Sequence, residues 1–208
     1  MGNLVSTGLI SVILLVSIML TGVTVASVIN GETTGTTTEQ DYEQIIEEAI
    51  DEISTIILIK DQKGKVNEIN GERTVDKIAL YITPLVSQEI DMSNLNIQLN
   101  NGETLMFLSY DGNAENLGSN SIFGHPIWND IDGSNFGFIS IIDLDGSLVN
   151  FDSLNDCSDN AYLVFELPED MTLAKHDKLT ITLFPSTGIS NTAVLKTPLL
   201  IDSIVTFE

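Results

Sequence analysis

Hydrophobic and polar positions divide this chain into two unlike parts. Residues 4–29 read LVSTGLISVILLVSIMLTGVTVASVI, an apolar stretch without a charge. As a helix, at about 1.5 Å per residue, it reaches roughly 40 Å, enough to cross a hydrocarbon layer of about 30 Å. Small residues recur in it at helical spacing: Thr7 with Ser11, Ser17 with Thr21, Gly22 with Ala26. Such faces let helix backbones approach closely where water does not drive association, although a lone lipid-facing anchor tolerates the same residues. Residues 31–40, GETTGTTTEQ, read as a break or linker because Gly and β-branched Thr both disfavour helix. Helical spacing then resumes over 42–59. There Ile45, Ile46, Ala49, Ile50, Ile53, Ile56 and Ile57 form one stripe, and Glu43, Glu47, Glu48, Asp51 and Glu52 face away from it.

After a turn expected at 60–65 the period shortens. Alternating apolar runs, separated by Asn, Asp, Gly and Pro, predict strands near 77–83, 95–99, 104–110, 136–143, 161–166, 178–184, 193–196 and 201–207. Seven or eight short strands suggest an immunoglobulin-like sandwich or barrel. The expected class is α+β: a long hydrophobic N-terminal α-helix over 1–60 followed by an all-β immunoglobulin-like sandwich over 61–208. No strand–helix alternation and no Gly-rich phosphate loop supports a nucleotide-binding fold.

Charge sharpens this division. All 8 basic and 30 acidic residues lie from Glu32 onward, and no Lys or Arg falls between Lys77 and Lys175. With a net charge of -22, the body repels nucleic acid and anionic headgroups and attracts cations. Because no Lys or Arg precedes Leu4, a conventional cleaved signal is not supported. The missing orientation cue is expected if a basic leader once preceded Met1.

Chemistry-bearing residues are few. Cys157 is the only cysteine, which rules out an intramolecular disulfide and a tetra-cysteine zinc site; a small buried or half-buried thiol is expected. His125 and His176 are too isolated for a hydrolase triad, so no enzymatic activity is expected. The 129–135 loop, NDIDGSN, and Asp143-Leu144-Asp145-Gly146 carry the oxygen ligands and sharp Gly turns of calcium sites, yet the same residues make ordinary turns. Asp130, Asp132 and Asn135 are the candidate ligands for a divalent cation such as calcium. The aromatics around that loop, Trp128, Phe123, Phe136 and Phe138, are expected in the core or at subunit contacts.

The opening hydrophobic stretch through Val25-Ala26-Ser27-Val28-Ile29-Asn30, together with Asp76-Lys77-Ile78-Ala79-Leu80-Tyr81-Ile82-Thr83-Pro84 and Ile90-Asp91-Met92-Ser93, resembles phrases of the archaellins. These are filament subunits with an apolar helix in the core and a β-sandwich outside. Phe136-Gly137-Phe138-Ile139-Ser140-Ile141-Ile142-Asp143 and Asp177-Lys178-Leu179-Thr180-Ile181-Thr182-Leu183 look like two further archaellin strands. The resemblance implies a precursor with a basic leader removed by a prepilin-type peptidase. It further implies storage in the membrane, addition at the filament base by an ATP-driven assembly platform, and rotation of an extracellular filament for swimming.

Filament-core packing is then expected at Gly8, Leu14, Leu15, Ile18, Gly22 and Ala26. The partners are further copies of the chain, with or without a second archaellin, and no nucleic acid. Three features depart from the family pattern: the opening Met-Gly-Asn-Leu-Val-Ser-Thr-Gly-Leu, the weak helix signal over 31–38, and the absence of any Asn-x-Ser/Thr sequon. Glycans would therefore be O-linked, with Thr33, Thr34 and Thr36 as candidates. Two alternative readings are an adhesive pilin-like filament subunit and a membrane-anchored accessory protein of the archaellum motor.

Overall fold

The computed structural model describes residues 55–69, 71–186, 188–199 and 202–207. The expected apolar rod, the linker and most of the 42–59 helix lie outside them, as do Gly8, Leu14, Leu15, Ile18, Gly22, Ala26, Thr33, Thr34 and Thr36.

The elements are β1 (Ile57–Ile69), β2 (Glu72–Pro84), β3 (Ile90–Asp91), β4 (Asn96–Asn100), β5 (Leu105–Asn116), β6 (Asn135–Ile142), α1 (Ser147–Phe151), β7 (Ser153–Leu154), β8 (Asn160–Glu166), β9 (Lys178–Phe184), β10 (Asn191–Lys196) and β11 (Ile204–Thr206). Short 3₁₀ turns at Ile122–Gly124, Pro126–Asn129 and Glu169–Met171 punctuate the loops. Each expected strand has a counterpart, though β5 runs on past Tyr110 and β11 is shorter than expected.

The turn expected at 60–65 is instead the middle of β1, and Ile57–Ile59, assigned to the helix, are its first residues. Lys60, Asp61, Gln62, Lys63 and Lys65 hide this strand from a hydrophobicity reading. Its stability comes from pairing along its whole length with β2, from Ile57 opposite Pro84 to Ile69 opposite Glu72. Gly71, just before β2, has φ 83, and the sequence places Asn70 before it. An Asn-Gly between two runs is the strongest short hairpin signal, and it was available in the sequence.

Among the described residues, nine strands form one sheet in the order β10-β9-β4-β5-β6-β8-β2-β1-β11, beside a small β3-β7 pair. All neighbours are antiparallel except β5 and β6, which are parallel. Hydrogen bonding is thus continuous where two separate sheets were expected. The sheet curls until its β10 side meets β1, and Asn191 Nδ2 donates to the Ile57 carbonyl at 2.7 Å.

Period-two alternation then serves two cores. Ala161, Leu163 and Phe165 of β8 point into the main core with Ile78, Leu80, Ile82, Phe136 and Phe138. Tyr162 and Val164 point the other way, toward Ala79 and Ile139, under a cover of Ile127, Trp128 and Ile131. Because both faces of β2, β6 and β8 are buried, these strands read as nearly continuous apolar runs.

Candidate functional site

The loop from Asp130 to Asn135 is drawn tight by its own polar groups. Asp132 Oδ1 accepts from the Ser134 N–H at 3.0 Å and from the Ser134 hydroxyl at 2.6 Å. The Ser134 hydroxyl is the main reason the Asp132 carboxyl lies below its usual range. Asn135 Oδ1 accepts the Asp132 N–H at 3.0 Å, while its Nδ2 donates to Asp111 Oδ2 and to the Asp130 carbonyl. The Asn135 oxygen and one Asp132 oxygen therefore hold the turn.

Carboxylates converge elsewhere. Among the described residues, Asp143, Asp145 and Asp159 bring one oxygen each to within 4.8 Å of one another. Asp143 and Asp145 belong to the second Asp-x-Asp-Gly turn. Asp159, just before β8, reaches them only because the loop from 143 to 159 closes on itself.

Each carboxylate also organises backbone. Asp143 accepts the N–H groups of Ser147, Leu148 and Val149 at 2.9, 3.2 and 3.4 Å, which fixes the first turn of α1. Asp145 accepts from Asn155 Nδ2 at 2.7 Å and the Ser147 N–H at 3.0 Å, and these bonds, Asn155 first, hold its carboxyl down to about 2. Asp159 is 2% exposed and accepts the Asn155 and Asp156 N–H groups at 3.1 and 3.0 Å. Burial is the main cause pushing its carboxyl above the usual range; the two N–H groups oppose this, and Asp143 and Asp145 add repulsion. Hard oxygen donors of this kind suit a calcium-like cation.

The remaining chemistry-bearing side chains are dispersed. His125 is buried, with Nε2 3.1 Å from the Asn116 carbonyl and Nδ1 accepting the Ile127 N–H at 3.3 Å. His176 sits in an exposed turn at φ 73. Cys157 is exposed, contrary to the expected buried thiol, because it lies on the outer rim of the 155–159 turn. Phe136 and Phe138 lie in the main core, and Trp128 stacks on Phe123 with Lys77 Nζ 4.8 Å from its ring centre.

Known proteins share both the sequence pattern and the fold. Residues 6–195 match the model of the archaeal-type flagellin family. The chain is similar in structure to the archaeal flagellin FlaB1 of Methanocaldococcus jannaschii, with a TM-score of 0.64 and 23% identity over 73% of this chain and 95% of that one. It is also similar to the archaeal flagellum of Methanospirillum hungatei strain JF1, with a TM-score of 0.53 and 10% identity over 97% of this chain and 99% of that one.

Proposed function

Because this chain belongs to the archaeal-type flagellin family, and is thus a non-enzymatic structural subunit of the extracellular archaellum filament that drives swimming, we propose how its two parts share the work. The apolar segment packs against many others in the filament core, and the acidic β domain forms the surface. The observation that carries this is the extent of the family match, which takes in the uncharged segment as well as most of the strands. Burying a Leu, Ile or Val side chain stabilises by roughly 1.5–3 kcal/mol against water but far less against lipid. Close approach at Gly8, Gly22 and Ala26, with Leu14, Leu15 and Ile18 filling the gaps, therefore decides specificity.

Gly22→Leu or Gly8→Leu is expected to lower filament yield by about tenfold or more while the β domain stays folded, since a branched side chain holds helix backbones apart. Electron microscopy of sheared surface filaments, with N-terminal sequencing of their main protein, reads the outcome. Normal filaments from both variants overturn this division of labour.

Before assembly the chain is a membrane-inserted precursor, processed by a prepilin-type peptidase and handed to the assembly platform. N-terminal sequencing of the filament protein tests that history, and a retained basic leader contradicts it. The Asp130, Asp132 and Asn135 loop holds one divalent cation, and the thiol and histidines have no part in it. Calorimetry that finds neither calcium heat nor a shift in melting temperature rules this out. Glycans, on Thr33, Thr34 and Thr36, are O-linked; an intact mass equal to the bare polypeptide refutes them.

A further inference from the structure

One face of the curled sheet differs in chemistry from the rest of this acidic chain. The register of β5, β4, β9 and β10 lays their outward side chains in cross-strand rows, with Leu105, Asn100, Thr180 and Val194 in one and Phe107 and Thr182 in the next. The other outward positions of these rows are Asn, Gln, Ser or Thr, and none is charged. Leu105 and Phe107 are 54% and 57% exposed, and Phe184 and Val194 each 37%.

Beyond the last row Lys178 stands directly opposite Lys196, and both are exposed. Like charges opposed across strands disfavour each other, so this pair stands to gain from an acidic partner. With Lys175 beside them, three lysines meet two carboxylates, Glu103 and Asp177, at this edge of a chain where acids outnumber bases 30 to 8.

The complementary chemistry lies at the other end of the strands. Residues 143–159 carry five carboxylates, Asp143, Asp145, Asp152, Asp156 and Asp159, and no Lys or Arg. Among them stand Leu144 and Phe151, 89% and 76% exposed. β6 runs parallel to β5 and leads into this loop, so the loop lies at the end of the sheet away from Leu105 and Lys178. One copy cannot bring the two surfaces together.

We propose that the uncharged face of β5, β4, β9 and β10 in one subunit receives the 143–159 loop of a second copy of this chain. Leu144 and Phe151 seat among Phe107, Leu105 and Val194, and Lys178 and Lys196 meet Asp145 and Asp156, the loop's exposed carboxylates. A contact between two different patches is heterologous, and repeated without closure it generates an open helical polymer. The proposal rests on the filament reading above and adds to the apolar core a second bond between subunits, at the surface.

The test uses filaments of the full-length chain. Zero-length carbodiimide cross-linking followed by mass spectrometry is expected to join Lys178 or Lys196 to peptides of residues 143–159. Phe107→Glu places a charge on an outward position and is expected to reduce shear-resistant filaments by about tenfold. A Lys178→Glu/Lys196→Glu double variant, which alters no buried side chain, weakens them in the same direction, and less so at high salt. Unaltered filaments that cross-link these lysines only to other segments, or variant filaments as abundant and shear-resistant as the unaltered ones, overturn the contact and leave the filament reading intact. Absence of the chain from sheared filaments of the unaltered strain overturns both.

Discussion

Phe136, Phe138 and Tyr110 form the aromatic centre of the main core, with ring centroids 5.2 to 5.7 Å apart. Tyr110 is held there at its polar end as well, since its hydroxyl donates to Asp152 Oδ1 at 2.5 Å. Burial and this bond push the phenol well above its ordinary range. Phe138 is fully buried, and Phe138→Ala is expected to cost about 3–5 kcal/mol through lost burial and a residual cavity. Denaturant unfolding followed by Trp128 fluorescence measures the loss. The sequence placed both Phe residues correctly because their positions follow from alternation along one strand. Cys157 was misplaced because the exposure of a lone loop thiol depends on how the loop turns, which no period encodes.

The elements show the same contrast between local and long-range signals. β9 appears at the bounds that alternation gave, since each of its residues declares its face by its own character. β1 was missed because its charged middle is stabilised by β2 rather than by its own apolar content, although Asn70-Gly71 marked the hairpin. In the loop between β6 and β8, Asn155→Ala is expected to return the Asp145 carboxyl from about 2 toward 3.8. A folded-state value below the ordinary one contributes stability that is present above the ordinary value and is lost as pH falls toward 2. The variant lacks the largest single part of that contribution, so its acid-side loss is shallower. Carbon-13 NMR titration of the Asp145 carboxyl reads the shift directly.

Over the whole molecule, a net charge of -22 repeated along a filament opposes assembly. Screening lengths shrink from about 30 Å at 0.01 M salt to about 10 Å at 0.1 M, so filaments should melt at lower temperature in dilute buffer and recover with added salt. Light scattering during a thermal ramp measures this, and a midpoint independent of salt contradicts it.

By itself the sequence determined the division into an uncharged apolar segment and an acidic β body, most strand positions, the lack of enzymatic chemistry and the family. The family rests on phrases shared with the archaellins; the others rest on composition and on the spacing of neighbours, which is local information. Only the tertiary structure decided that nine of the described strands join in one curled sheet, that the charged middle of β1 pairs along its length with β2, and that Asp159 joins Asp143 and Asp145 in a convergent carboxylate group. Those outcomes depend on which distant strands meet and in what register, and that is fixed by burying both faces of β2, β6 and β8 at once.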